Sequence, residues 1–310
     1  MKSEEGNGGF LLFGGYAILF LNEKGGDEEA LLKRAYIEIT NSCNLRCSFC
    51  PGTRRAPQRM DIAAFDRVSE QLTGKVKYLY FHVMGEPLLH PELSALLRIA
   101  GEKGFRLCIT TNGTLMDQVG DILLQEKALH KVSVSLHSFE GNDCPGELKS
   151  YLESVWDFAI RAAAQGVIVA LRLWNLGGRE EKNGEILDFL HQKTGKQAWE
   201  EKRTGSFSLA ENLYLESAER FDWPDLSAPE AGTEYCLGLR EQLAVLVDGT
   251  VVPCCLDHEG DIALGNLLTQ DLDDILASPR ARALYDGFSR REPSEELCRR
   301  CAYATRFTIG

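Results

Sequence analysis

The stretch Cys43-Asn44-Leu45-Arg46-Cys47-Ser48-Phe49-Cys50 decides the fold of this chain and most of its chemistry. Its C-x3-C-x2-C spacing brings three thiols onto one tight loop, which is one too few to close a four-ligand site. A tetrahedral metal, or a cubane cluster with one metal per corner, would keep one position open for chemistry. The loop follows an apolar run, Tyr36-Ile37-Glu38-Ile39-Thr40, that predicts a strand, and Asn41 and Ser42 mark the end of it. We therefore expect the three cysteines at the carboxyl end of a strand.

Outward from this loop, strand and helix patterns alternate from residue 35 to about residue 215. Strands are predicted over residues 36–40, 76–83, 105–110, 132–136, 167–174 and 206–215. Helices are predicted after the N-cap residue Asp61, after Pro91, around residues 119–123, and within residues 152–163 and 186–191. Six βα units with short connections predict a parallel sheet wound by helices, either an open sheet or a barrel. Ligands of such folds gather at the carboxyl ends of the strands.

The fourth strand distinguishes an open sheet from a barrel. Val132 and Val134 share one apolar face, while Ser133, Ser135 and His137 share the other. A strand of a doubly wound sheet is buried on both sides and is apolar throughout. The small polar face predicts instead a strand that lines a site inside a partial barrel.

Composition limits the partners of the chain. Its 310 residues, 44% hydrophobic and 26% charged, are ordinary for one large domain with a smaller one. The net charge of −12 and the pI near 5.1 argue against a nucleic-acid or anionic-membrane partner, because both need a basic face. We expect no nucleic acid and no membrane among its partners.

The N-terminal part, residues 1–34, is expected to be a hairpin extension. Its apolar segment, residues 10–21, is broken at Gly14-Gly15, which predicts two strands, 10–13 and 16–21. The segment is too short for a spanning helix and is a poor signal peptide. Ten cysteines in a chain without an export signal favour metal ligation over disulfides, and a cytoplasmic location.

Composition changes after about residue 221, which predicts a barrel domain over residues 35–220 and a small domain over residues 221–310. The second part contains a hairpin pattern, residues 243–247 and 250–253, joined by Asp248-Gly249. An Asp-Gly turn between two β-rich runs is a strong hairpin signal.

Four cysteines of the second part have a spacing that suits a closed site. Cys236 precedes Gly249 by 12 intervening residues, and Gly249 precedes Cys254 by four. The hairpin brings these two cysteines together, and the pair Cys298-Arg299-Arg300-Cys301 approaches from a later loop. Four thiolates would close either an iron–sulfur site or a zinc ribbon.

The cysteine loop, with the aromatic Phe49 before its third cysteine, resembles the cluster-binding motif of the radical S-adenosylmethionine (SAM) superfamily. The resemblance implies a 4Fe-4S cluster on Cys43, Cys47 and Cys50, with the amino and carboxylate groups of SAM on the unique iron. One electron would cleave SAM to a 5'-deoxyadenosyl radical that abstracts hydrogen from a substrate. It also implies a partial (β/α)6 TIM-like barrel of the α/β class. A zinc knuckle or structural thiols are the alternative for the loop alone.

The tripeptide Gly85-Glu86-Pro87 ends the second predicted strand, where the superfamily has its SAM amino-binding motif. The resemblance implies that its backbone carbonyls accept hydrogen bonds from the SAM ammonium. Glycine permits close approach of a ligand, and proline fixes the chain beyond it. A simple turn at the end of a strand is the alternative.

Further strand ends are expected to contact SAM. The resemblance implies polar contacts to its ribose and carboxylate from Thr111, Asn112 and Ser135. Arg172 on the fifth predicted strand could pair with the SAM carboxylate, or form an internal salt bridge.

The C-terminal cysteines resemble the twitch domain, the shortened form of the SPASM extension. The resemblance implies one auxiliary 4Fe-4S cluster on four ligands: Cys236, Cys254, Cys298 and Cys301. Residues 302–310 contain no further cysteine, so a second auxiliary cluster is not expected. Cys255 competes with Cys254 for the ligand position, and the spacing from Gly249 favours Cys254.

These observations predict a radical SAM enzyme. Asp257 and His137 are candidate bases near the substrate, although a solvated loop is the alternative for Asp257. The substrate is expected to be a small alcohol that undergoes oxidation, or a peptide that is modified, with a reductant such as flavodoxin or ferredoxin. A non-catalytic iron–sulfur or zinc protein with a degenerate barrel is the alternative from another class.

Overall fold

The computed structural model describes residues 32–142 and 147–307. The hairpin predicted for residues 10–21 lies outside the described residues. Within the described ranges the helices are α1 (Ile62–Leu72), α2 (Leu93–Glu102), α3 (Met116–Leu124), α4 (Leu148–Ala164), α5 (Asn183–Thr194), α6 (Leu272–Ala277), α7 (Pro279–Ser289) and α8 (Glu296–Arg299). None of these helices is long and apolar enough to cross a bilayer.

One sheet organises the fold. Its strands in the described part of the chain are β1 (Arg34–Ile37), β2 (Tyr78–Phe81), β3 (Arg106–Thr111), β4 (Leu129–Ser135), β5 (Ile168–Leu176), β6 (Glu200–Arg203), β7 (Ser206–Ala210), β8 (Leu213–Glu219), β9 (Gln242–Val245), β10 (Thr250–Val252) and β11 (Gly265–Asn266). Their order is β11-β10-β9-β1-β2-β3-β4-β5-β8-β7-β6. The run from β1 through β5 to β8 is parallel. These six strands with α1 to α5 are the predicted partial (β/α)6 barrel, which is confirmed.

The sixth predicted strand, residues 206–215, is wrong as a single element. The structure divides it into β7 and β8, which pair antiparallel. Asn212 lies between them with a φ of 56°, a left-handed conformation that asparagine tolerates better than most residues. Only β8 continues the parallel order beside β5.

The two faces of the parallel sheet differ in burial. On β5, Val169, Leu171 and Leu173 are buried in the main core against the helices. Arg172 and Trp174 lie on the opposite face and are only half-buried. We call this opposite face the inner face. The polar face predicted for β4, with Ser133 and Ser135, belongs to it because Val132 and Val134 face the core.

The first helix begins where the sequence predicts it to begin. The Asp61 carboxylate caps it by accepting a hydrogen bond from the backbone N–H of Ala64 at 2.8 Å. Phe65, Val68 and Leu72 follow on the buried side of α1. The N-cap thus fixes where α1 begins, and the apolar residues of the helix then face the core.

The C-terminal hairpin is confirmed, and it extends the barrel's own sheet. β9 and β10 pair antiparallel around a turn in which Gly249 has a φ of 86°. β9 also pairs parallel with β1, with Leu243 opposite Ala35. The region that carries the second cysteine set is therefore hydrogen-bonded to the first strand of the barrel.

Candidate functional site

Cys43, Cys47 and Cys50 lie together on the loop that follows β1, as predicted. The backbone N–H of Cys50 donates to the carbonyl of Cys47 at 3.0 Å, which makes the loop a tight turn. Burial, with smaller contributions from the neighbouring Cys50 and Cys43 thiols, raises the pKa of the Cys47 thiol to about 12, although the hydrogen bond from Asn142 opposes the shift. The three sulfurs are therefore close enough to disfavour one another's ionised form.

Two amide side chains approach the sulfurs of this loop. The Asn142 Nδ2 donates to Cys47 Sγ at 3.0 Å. The Asn112 Nδ2 lies 3.8 Å from Cys43 Sγ and donates to Asn44 Oδ1 at 2.9 Å. N–H donors at sulfur suit cysteines that act as thiolate ligands, because they stabilise the negative charge.

The donor set of the loop fits a cluster better than a single ion. In residues 32–142 and 147–307, no three His, Cys, Asp or Glu side chains converge on one metal position. A cubane binds each thiolate through a different iron, so its ligands stand farther apart than those of one ion. Three thiols on one turn, approached by N–H donors, therefore suit a cubane cluster better than a single metal ion.

Gly85 allows the loop to cross the end of β2. A Cβ at this position would lie 2.3 Å from the Thr40 carbonyl oxygen and 2.9 Å from that of Ser42. The φ of Gly85 is 79°, and the next backbone N–H, of Glu86, donates to the Ser42 carbonyl at 2.9 Å. The glycine is required because the backbone of the cysteine loop packs directly on it.

The Glu86 side chain ties the end of β2 to the end of β3. It is buried and accepts from the Thr111 hydroxyl at 2.7 Å, from the Asn112 N–H at 2.8 Å and from the Leu88 N–H at 3.0 Å. Burial raises the pKa of this carboxyl to about 7, although the three donors oppose the shift. The Thr111 hydroxyl is therefore occupied by Glu86.

The Glu38 carboxylate joins three segments beside the site. It is fully buried and receives the Arg55 guanidinium through two hydrogen bonds of 2.7 and 2.6 Å. It also accepts the backbone N–H of Met84 at 3.2 Å and that of Val247 at 3.0 Å. These partners belong to the return of the cysteine loop, the end of β2 and the β9–β10 turn. Sequence reasoning missed Glu38, although an acid within an apolar strand is itself a signal.

His137 lies next to the cysteine loop, and its ring packs on Phe49 with centroids 4.8 Å apart. Its Nδ1 is 3.0 Å from the Arg172 carbonyl oxygen and 3.4 Å from the Trp174 backbone nitrogen. Burial lowers the pKa of His137 to about 4. The neutral His137 ring, held at β5, positions Phe49. The Phe49 ring also packs on Gly141, where a Cβ would lie 2.8 Å from it.

Arg172 takes part in the internal salt bridge that the sequence left as one of two alternatives. Its Nε lies 3.1 Å from Glu216 Oε2, and its guanidinium stacks 4.3 Å from the centre of the Trp174 ring. Ser135 is its register partner on β4. Arg172 and Ser135 are therefore adjacent on the inner face.

Cys254 lies near the other three predicted auxiliary ligands and near Cys255. Burial raises the pKa of its thiol well above the usual value, and the nearby thiols of Cys236, Cys255, Cys301 and Cys298 add to the shift. Cys301 is buried beside Leu256 in a small core to which Cys236 and Cys254 also contribute. The structure thus brings the four cysteines together from three separate segments.

Two hydrogen bonds, one from a side chain and one from the backbone, hold these segments in place. The Thr233 hydroxyl donates to the Cys301 carbonyl at 2.9 Å, and the Ala231 N–H donates to the Arg299 carbonyl at 2.8 Å. The stretch before Cys236 is thereby fixed to the loop of the C-x2-C pair.

Cys255 borders two apolar clusters. Like Cys254 it packs against the small core that contains Leu256 and Cys301, and it also packs with Tyr36, Val83 and Ala244. A hydrogen bond with the Tyr36 hydroxyl acts to lower the pKa of Cys255, although burial dominates and raises it to about 12. Cys255 therefore contacts the inner face of the barrel sheet.

Asp257, one of the two candidate bases, takes part in a turn of the C-terminal region. It is buried, and its Oδ1 and Oδ2 accept the backbone N–H groups of Asp261 and Ile262, both at 2.9 Å. Burial raises the pKa of the carboxyl to about 6. These contacts close the turn that follows the cysteine pair 254–255.

The chain belongs to the radical SAM superfamily. A profile of that superfamily matches residues 37–190, and a profile of the SPASM iron–sulfur cluster-binding domain matches residues 236–302. Both resemblances drawn from the cysteine patterns are thereby confirmed. The protein is a radical SAM enzyme with a SPASM/twitch domain, and its cofactors are SAM and 4Fe-4S clusters.

Similar proteins span several activities. A GTP 3',8-cyclase of Chlorobaculum tepidum is 38% identical over 109 residues, 34% of this chain and 32% of that protein. The matches span about a third of the length of the first curated relatives. Among solved structures, BtrN in complex with AdoMet and 2-DOIA has a TM-score of 0.55 at 19% identity, covering 90% of this chain and 96% of that one. Native anSMEcpe with bound AdoMet and a Cp18Cys peptide has a TM-score of 0.56 at 15% identity, covering 89% and 88%. These structures share the fold.

Replacing Glu38 tests whether its carboxylate holds the three segments together. Glu38→Ala leaves the Arg55 guanidinium without its buried partner, which typically costs about 3–5 kcal/mol of unfolding free energy. Glu38→Gln keeps the shape and loses the charge, so it should cost less. Anaerobic urea denaturation measures both changes.

The matched control is Glu153→Ala, which removes the half-exposed pair between Glu153 and Lys193. Such a pair contributes about 1 kcal/mol or less. If Glu38→Ala costs no more than this control, the carboxylate does not join the segments.

Proposed function

We propose that Cys43, Cys47 and Cys50 hold the SAM-binding cluster and that the enzyme abstracts a hydrogen atom from a substrate at the inner face. The observation that supports this most directly is the turn of three thiols at the end of β1, packed on Gly85. When bound, the cluster supplies the electron that cleaves SAM reductively to a 5'-deoxyadenosyl radical. The chain's own residues bind SAM and fix its orientation.

The proposed SAM contacts follow from the strand ends. The carbonyls of Glu86 and Pro87 accept from Leu89 and His90, so the Gly85 carbonyl is the one we assign to the SAM ammonium. The SAM carboxylate is assigned to the neighbouring Ser135 and Arg172. Arg172 binds Glu216 through Nε, which leaves its terminal nitrogens in position for a carboxylate.

The second cysteine set is proposed to hold one auxiliary cluster. Its ligands are Cys236, Cys254, Cys298 and Cys301. Cys255 and Tyr36 lie between this set and the inner face, so the site borders the proposed substrate position. That position favours a net two-electron oxidation of a small molecule, for which a cluster held by these four cysteines would supply the electron acceptor. The proposed reductant for SAM cleavage is a flavodoxin or ferredoxin.

Two sets of variants test this assignment. Replacing Cys43, Cys47 and Cys50 with alanine should remove about half of the iron and abolish reductive SAM cleavage, because the open site is lost. Replacing Cys298 and Cys301 should also remove about half of the iron, yet leave SAM cleavage without substrate largely intact. Iron content and 5'-deoxyadenosine formation are measured. SAM cleavage at the wild-type rate by both variants would show that the open site lies elsewhere.

The adjacent thiols give a closely matched pair of variants. Both thiols lie near Cys236 in the bend and turn that follow β10, but Cys255 also contacts Tyr36, and the spacing from Gly249 favours Cys254 as the ligand. Cys254→Ser should therefore lose the auxiliary cluster, and Cys255→Ser should keep it. Iron content and cluster electron paramagnetic resonance distinguish them. The reverse pattern would mean that a bulge after β10 redirects the two side chains.

A further inference from the structure

The inner face carries more positive than negative charge. Lys131 Nζ and Arg203 Nη2 lie 3.3 and 3.2 Å from the same oxygen of Glu216, Oε1. Arg172 Nε occupies the other oxygen at 3.1 Å. Burial acts to raise the pKa of Glu216, but Arg172, Lys131 and Arg203 outweigh it and hold the pKa at about 2. Three cations thus share one carboxylate.

The neighbouring titratable groups do not offset this surplus. Burial, with Arg172 beside it, lowers the pKa of His82 to about 3, so the imidazole is neutral. Burial raises the pKa of Cys108 to about 12 and raises that of Tyr80, so both are neutral too. The surplus is local, since the whole chain has a net charge of −12.

Two polar atoms near this surplus are buried without a hydrogen-bond partner among residues 32–142 and 147–307. They are Nη1 of Arg203 and Nδ1 of His82. An unpaired buried donor typically costs about 1–3 kcal/mol, and more when it is charged. Burial also lowers the pKa of Lys131, which means that its charge is poorly solvated. The costs at Arg203 and Lys131 would fall if an anion bound between these two side chains.

We propose that the substrate carries an anionic group, a carboxylate or a phosphate, which binds between Lys131 and Arg203 on the inner face. Because both cations contact one Glu216 oxygen, a single anion can bridge them, and the guanidinium can bind it through its free Nη1. We assign Arg172 to the SAM carboxylate. Of the three cations, one is neutralised by Glu216 and one by the SAM carboxylate, so one positive charge remains for the substrate. The inference rests on the proposed function, because it takes the inner face as the substrate site.

Small anions probe this site without any turnover. The holoprotein with SAM is titrated calorimetrically under anaerobic conditions with inorganic phosphate and, separately, with acetate, against chloride at equal ionic strength. At least one of the two should bind beyond the chloride background, and the stronger of them identifies the anion class. Binding of neither would overturn the proposal.

Variants that remove a positive charge and a variant that removes a negative charge should change the anion affinity in opposite directions. Arg203→Gln and Lys131→Met should each weaken anion binding about tenfold, the loss of one charge-assisted hydrogen bond. Glu216→Gln should strengthen it, because the competing carboxylate is gone. The control Arg161→Gln removes an exposed cation on α4 that pairs with Asp121 and should leave binding unchanged.

Anion binding that is the same in all four variants would also overturn the proposal. The test of the anion site is independent of the proposed function, because anion binding is measured without SAM cleavage. A protein that binds phosphate in this residue-dependent way but never cleaves SAM would refute the proposed function and leave the anion site standing.

Discussion

The buried carboxylate of Glu38 is the constraint on which the rest of the site depends. A buried charge must be paired, and Glu38 finds its partners in the return of the cysteine loop, at Met84 just before Gly85, and at Val247 in the C-terminal hairpin. These segments come from three different parts of the sequence, so Glu38 has all of its partners only when the three are assembled. The barrel, the end of β2 and the SPASM region therefore have to assemble together, which sets the two cysteine sets on one sheet.

Local patterns in the sequence predicted the parts of the fold that local physics controls. The alternation on β4 predicted its core and inner faces, Asp61 predicted the start of α1, and Asp248-Gly249 predicted the β9–β10 turn. Cysteine spacing predicted which thiols come together, because short spacings leave the chain few conformations.

Local sequence patterns do not predict which distant strands pair with each other. Nothing local indicates that β9 pairs with β1, because that register joins distant parts of the chain. The split of residues 206–215 at Asn212 was missed because both halves are strand-like. The hydrogen bonds from the backbone N–H groups of Asp261 and Ile262 to Asp257 were missed as well, because they form only in the folded turn. The three cations around Glu216 come from different strands, so their surplus appears only when the sheet forms.

The central claim is that the two cysteine sets hold two iron–sulfur clusters, one open to SAM and one closed. Metal and sulfide analysis of the anaerobically prepared protein tests it most directly. The account predicts about eight irons and eight labile sulfides per chain, the content of two cubanes. Zinc at stoichiometric levels with little iron after anaerobic reconstitution would contradict it, since both sets of thiols would then bind redox-inert ions.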